Sequence, residues 1–198
     1  DPLATKAMAK ELAAKGVEMI DAPVSGGPTG AAAGTLAIMV GSTAQQFAKV
    51  KPVFEKVSPN VFHVGDLGAG QTTKLVNNLL AAGCRAMTFE VMTLAVKNGL
   101  DPKICAEVLQ KSSGRNATTE QTLQRLIAGD FPNTFSIGLM HKDVRLANQL
   151  AQDTGVPMLL GRLVQELHLH ALNVHGASAD SNMLIRDFEA YSGTRIAK

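Results

Sequence analysis

At 198 residues, 45% of them apolar, the chain is long enough for one large domain, or for one domain and part of another, with a packed core. Nineteen Lys and Arg face 17 Asp and Glu, a net charge of +2, and no basic run with interleaved aromatics occurs, which argues against a nucleic-acid partner. Eight Met, seven Phe, one Tyr and no Trp describe an aliphatic core with little aromatic surface on which sugars or bases could stack.

The chain starts at Asp1 without a methionine and enters a helical pattern at once, so sequence ahead of it is expected. Leu3, Ala7, Met8 and Leu12 recur at three- to four-residue spacing and predict a helix over Pro2–Lys15, with Gly16 as its stop. "VEMIDAPV", "TLAIMVGS" and "VFHVG" are short β-branched and apolar runs bounded by Gly, Pro or Ser, and read as three strands. "TAQQFAKVKPVFEKV", between the last two, reads as a helix. Residues 1–66 are therefore α/β in character. Three short strands cannot bury both faces of a sheet, and a partner chain or upstream sequence is expected to complete it.

The first constellation that could carry chemistry is "SGGPTGAAAG", from Ser25 to Gly34. The Ser25 hydroxyl is followed by two glycines, Gly26 and Gly27, whose backbone N–H groups have no side chain beside them. Two readings stay open: a nest for a small carboxylate or phosphate, and a Gly-rich turn between strands. No Lys-Ser or Lys-Thr follows the glycines, so this is not a P-loop.

The texture changes at "GDLGAGQ". From Gln71 to Asn98 there is no proline and one glycine, and Leu75, Leu79, Ala82, Ala86, Phe89, Met92 and Val96 recur at helical intervals. The pattern predicts one helix of about 28 residues, near 40 Å long. Gly68 and Gly70 allow a tight turn into it, and Lys74 and Asn78, four apart, share a face one turn from its start. A lysine there can hydrogen-bond a carbonyl or hydroxyl oxygen that an amide also orients. The electropositive helix end is expected to oppose an extra proton on Lys74 and make it a better donor. Solvated surface is the plain alternative, and Asn77, about 100° round the helix from Asn78, reads as structural.

Further helices are expected at Pro102–Lys111, Thr118–Ala128, Ser136–Thr154, Pro157–Val174 and Ser181–Tyr191, so residues 67–198 read as all-helical with one long central helix. "FSIGLMHKDVRLANQLA" carries the third constellation, where Lys142 is a cation that a purely structural helix would not require; a solvated lysine paired with Asp143 or Asp153 is the alternative. His168 and His170 point to different sides of a helix, and His63, His141 and His175 have no partner at ligand spacing, so no metal site is expected. Cys84 and Cys105 read as free thiols in a reducing compartment. No run reaches about 18 uninterrupted apolar residues and no signal peptide pattern is present, so a cytoplasmic location without a membrane partner is expected.

Taken in order, these three constellations resemble the β-hydroxyacid dehydrogenase family, and the likeness runs almost end to end. "DAPVSGGPTGAAAGTL" looks like the family's substrate-binding signature, "GAGQTTKLVNN" like its catalytic signature and "KDVRLA" like its cofactor-side motif. The resemblance implies that Ser25, Gly26 and Gly27 cradle a substrate carboxylate. It makes Lys74 the catalytic acid and base, Asn78 the amide that orients the reacting hydroxyl, and Lys142 a lysine that closes the cleft near the cofactor, with Asp143 holding it or capping locally. Residues 1–66 would be the last third of a Rossmann domain, and 67–198 a substrate and dimerisation domain. The cofactor would be NAD or NADP, yet no GxGxxG occurs in this chain, so by itself it is expected not to transfer hydride.

The implied reaction is hydride transfer between NAD(P) and a small 3-hydroxy acid or its semialdehyde, in a homo-oligomer of at least two chains. "SSGRNATTEQ" resembles the 3-hydroxyisobutyrate dehydrogenase pattern up to Arg115, which favours that acid, with threonate-like acids next. Two other readings stand beside it: an imine reductase, against which Lys74 argues, and a non-catalytic dimerisation or partner-binding module with the same fold.

Overall fold

The computed structural model describes residues 1–132 and 134–197, which form two compact units, one from Asp1 to Asn77 and one from Asn78 onward. In the first unit, α1 (Pro2–Ala13) begins where the Asp1 carboxylate accepts the N–H groups of Leu3 and Ala4, with Pro2 in the first turn, where no N–H is needed. Then come β1 (Val24–Ser25), α2 (Gly27–Ala33), β2 (Ala37–Gly41), α3 (Ala44–Phe54) and β3 (Val61–Gly65). A reciprocal capping box between Thr43 and Gln46 starts α3.

The sheet differs from the sequence expectation in one respect. "VEMIDAPV" is strand only at its end, at Val24, preceded by a single bridge from Asp21 to Gly41. Pro23, inside that run, has no N–H to donate, and only its carbonyl joins the ladder, accepting from Met39. The order is β1-β2-β3, with β1 antiparallel and β3 parallel to β2, so the sheet is mixed. The connection from Gly26 to Leu36 is too short for a parallel crossover, and Gly34, in the left-handed region at φ 65°, ends α2 and turns the chain straight back. Ile38, Met39 and Val40 of β2 are buried and form the centre of this unit.

The long helix is α4 (Ala69–Lys97), which starts two residues earlier than expected and continues through the division between the units. By length and composition alone it could cross a membrane, but Ala82, Ala86, Phe89 and Met92 are buried as the core of the second unit. Around them lie α5 (Pro102–Lys111), α6 (Leu123–Ile127), α7 (Ile137–Asp153), α8 (Leu159–His175) and α9 (Leu184–Ser192). Phe89 and Met92 pack with Leu123, Leu126, Leu184 and Ile185, and a second cluster joins Ala82, Met140, Val144 and Val164.

The expected helix over Thr118–Ala128 is present, with its first part, Thr118–Thr122, wound as a π-helix that runs directly into α6. The Asn116 side chain accepts from the N–H groups of Thr118 and Thr119, and the Thr122 hydroxyl bonds back to the Thr118 carbonyl. Asn116 thus caps the first N–H groups of this helix, which no ladder bond could satisfy, and the Thr122 hydroxyl shares a carbonyl of the wider turn. Likewise Ser181–Met183 is a 3₁₀ turn ahead of α9, held by Asp180, whose carboxylate accepts from the Asn182 N–H.

Candidate active site

In the first unit the glycine segment is neither a plain turn nor an open loop: it is the head of α2. Ser25 closes β1, and Gly26 and Gly27 follow with φ of 133° and 60°, backbone that side-chain-bearing residues rarely adopt. A Cβ on Gly26 would also stand 3.1 Å from the Leu36 side chain. Among the described residues no side chain caps the helix, and Gly26 and Gly27 are exposed, so their N–H groups lie open next to Ser25, while Pro28 after them has none to give.

The Asn77 amide reaches this hydroxyl, its Nδ2 lying 3.5 Å from Ser25 Oγ, a long contact that places the side chain at the glycine bend. In the sequence Asn77 reads as structural because it lies away from Asn78; its spacing of three from Lys74 also puts it on that residue's helix face. Lys74 is half-buried on the same unit's stretch of α4.

The head of α4 also differs from expectation. The buried Asp21 carboxylate accepts from the Gly68 N–H at 2.6 Å and from the Gln71 N–H at 2.7 Å. A negative group therefore meets the electropositive helix end. Nothing in the local sequence around Lys74 announces this carboxylate, because it comes from the strand segment.

In the second unit, Asn78 is buried and its Nδ2 donates to Asp143 Oδ2 at 2.6 Å. Asp143 Oδ1 pairs with Lys142 Nζ at 2.8 Å. The carboxylate is buried on the packed face of α7 with Met140, Val144 and Ala147, whereas the Lys142 side chain is about half exposed. Of the two aspartates that could have met Lys142, Asp153 instead accepts from Gln149. Asp143 thus ties two site residues of the sequence analysis to one carboxylate.

Titration shifts fall elsewhere in this unit. His168 is fully buried with Nδ1 bonded to the Val164 carbonyl; burial holds it below its ordinary value, with the Arg85 and His141 charges acting in the same direction. Burial also lowers Arg85, against the opposing effect of Asp180. It raises the Cys105 thiol, which keeps that group from the reactive thiolate form. Among the described residues no three His, Cys, Asp or Glu side chains are grouped to hold a metal ion.

Comparison with known proteins adds independent findings. The family model for the NAD binding domain of 6-phosphogluconate dehydrogenase matches residues 1–65, and that for the NAD-binding of NADP-dependent 3-hydroxyisobutyrate dehydrogenase matches residues 68–188. The chain is 38% identical over 197 residues to the 2-(hydroxymethyl)glutarate dehydrogenase of Eubacterium barkeri, covering 99% of this chain and 65% of that protein. It is 42% identical over 178 residues to the 3-hydroxyisobutyrate dehydrogenase of Pseudomonas aeruginosa, covering 86% of this chain and 60% of that one. Among solved structures, the Mycobacterium tuberculosis 3-hydroxyisobutyrate dehydrogenase with L-serine superposes with a TM-score of 0.86 at 30% identity, over 94% of this chain and 66% of that chain. The chain therefore spans less than two thirds of the length of the curated relatives named here.

Proposed function

The chain belongs to the β-hydroxyacid dehydrogenase family, and from that premise we propose that it supplies the substrate-binding and proton-transfer groups of an NAD- or NADP-dependent oxidoreductase. The substrate is a small 3-hydroxy acid or its semialdehyde, with 3-hydroxyisobutyrate first in line. The observation that carries this reading is the exposed head of α2, where Ser25, Gly26 and Gly27 present a hydroxyl and open N–H groups with the Asn77 amide alongside. Such a bend suits a carboxylate, whose charge the helix end and the N–H donors both favour.

Lys74 then donates a proton to the carbonyl oxygen in reduction and takes it back from the hydroxyl in oxidation. Asn78 orients that hydroxyl. Its amide nitrogen donates to Asp143 Oδ2, which fixes the side chain. Lys142 lies on the cofactor side and is steadied by Asp143. The nicotinamide supplies or receives the hydride when bound. Within this chain Lys142 is the residue assigned to it; the Gly-rich nucleotide fingerprint is not among the 198 residues, which supports the reading that the chain alone does not transfer hydride.

The same reading divides the chain into residues 1–66, the last third of a Rossmann domain, and 67–198, the helical domain, and places the protein in the cytoplasm as at least a dimer. Support for association comes from the outer face of α4, where Leu80, Met87, Val91 and Leu94 are exposed. The test is a substrate panel of 3-hydroxyisobutyrate, L-serine and 2-(hydroxymethyl)glutarate with either cofactor, using the protein at its natural full length. Reduction of NAD or NADP by one of these acids supports the reading. Reduction by none of them, with turnover of an imine instead, overturns it.

A further inference from the structure

The start of α4 is held in an unusual way. In α1, α3, α5 and α7 the capping side chain is the residue just ahead of the helix: Asp1, Thr43, Asp101 and Ser136. In α4 the first-turn donors are instead taken by Asp21, 47 residues before Gly68 and 50 before Gln71. A local cap suffices to satisfy a helix end. A cap delivered from a strand segment also ties that helix to the sheet.

The tie has little slack. Asp21 is 4% exposed, and its own backbone pairs with Gly41 in both directions, at 3.1 Å and 2.7 Å. Gly41 and Gly70 let backbone meet backbone at this point. A Cβ on Gly70 would stand 2.3 Å from the Met39 carbonyl oxygen and 2.8 Å from Asp21 Oδ2. A Cβ on Gly41 would stand 2.2 Å from Asp21 Oδ1 and 2.8 Å from the Gly70 nitrogen. No side chain separates the first turn of α4 from β2 and Asp21.

Both halves of the first unit's site hang from this point by short levers. Four residues after Asp21 the strand segment reaches Ser25, and one helical turn after Gln71 the helix reaches Lys74 and then Asn77. The Ser25–Asn77 contact is where the two levers come back together. We propose that Asp21 is a positioning residue that clamps the first turn of α4 and so sets Lys74 against the Ser25–Gly27 bend. This rests on the reading of Lys74 as the proton-transfer group. Misplacing such a group by about 1 Å costs on the order of a hundredfold in rate, so a rigid mount has a catalytic consequence that a local cap would not provide.

Asp21 also acts through charge, since its carboxylate opposes the positive helix end one turn from Lys74.

The test is Asp21→Asn, made in the protein at its natural full length and compared with Lys74→Ala. The expected result is a fall in kcat of about tenfold or more with KM for 3-hydroxyisobutyrate within about threefold, a split that a loss of folded protein alone would not give. Should Asp21→Asn not accumulate as folded protein, Asp21→Ser keeps one short acceptor and is expected to act in the same direction. Unchanged kcat per folded molecule, or a fall in activity that merely follows the unfolded fraction, overturns the proposal. If Lys74→Ala itself retains turnover, the reading of Lys74 has failed. If Lys74→Ala is inactive while Asp21→Asn is normal, only the role of Asp21 has failed.

Discussion

Asn78 and Asp143 face each other across a buried 2.6 Å hydrogen bond, and the same carboxylate holds Lys142 at 2.8 Å. Replacing Asp143 with Ala would leave the Asn78 amide buried without this acceptor, at a cost of about 1–3 kcal/mol. Urea unfolding is expected to show that loss. Asp143→Asn, which keeps the shape and can still accept one hydrogen bond, is expected to lose less stability but to release Lys142. Equal stability of the alanine variant and the native protein would contradict the assigned role of this bond.

The helical unit is expected to weaken in mild acid through His168. Burial holds its folded value below the ordinary 6.5, whereas the unfolded chain binds a proton near 6.5. Stability from this group is therefore complete above about pH 6.5 and is lost as the pH falls below it toward the folded value, because there the unfolded state binds more protons. Unfolding free energies at pH 8 and pH 5.5 should differ less in His168→Gln than in the native protein. Identical pH dependence in the two would exclude His168 as a source.

Two glycines of α4 are expected to respond oppositely to alanine. At Gly70 the new Cβ would meet the Met39 carbonyl oxygen at 2.3 Å, so the helix start must shift, costing about 1–3 kcal/mol or more. At Gly83 the nearest atom is a Val164 methyl at 3.6 Å, ordinary contact, and the helical backbone gains about 0.5–1 kcal/mol from alanine. Thermal melts of the two variants are the check: Gly83→Ala should melt above the native protein and Gly70→Ala below it.

Leu80, Met87 and Leu94 recur at seven-residue spacing on the exposed side of α4, at 67%, 57% and 64% exposure. That spacing makes a continuous apolar stripe along one helix face, the kind of surface a second helix covers. Light scattering is expected to give at least twice the chain mass. A double Leu80→Glu, Leu94→Glu variant should lower it. A native mass equal to one chain at micromolar concentration would contradict the association.

Much of the helical organisation was legible because apolar periodicity is a local property. Pro2–Lys15 became Pro2–Ala13, and Gln71–Asn98 became Ala69–Lys97. What could not be read depends on partners distant in the chain or on side-chain competition. The antiparallel pairing of β1 follows from how the Gly34 turn directs the chain, and the π-helical winding of Thr118–Thr122 leaves the apolar periodicity without a mark. At the site, Ser25, Lys74, Asn78 and Lys142 stood out by residue type and spacing. Asn77, read as structural, lies three residues from Lys74 and contacts Ser25. Asp21 could not be found, since its 47-residue reach to Gly68 leaves no local mark.

The central claim is that Lys74 moves the proton, and the most direct measurement is the steady-state kinetics of Lys74→Ala in the protein at its natural full length. General acid–base catalysis contributes about a hundred- to ten-thousandfold, so kcat for 3-hydroxyisobutyrate is predicted to fall within that range, with cofactor affinity changed only a few-fold. Near-native turnover in Lys74→Ala would contradict the account.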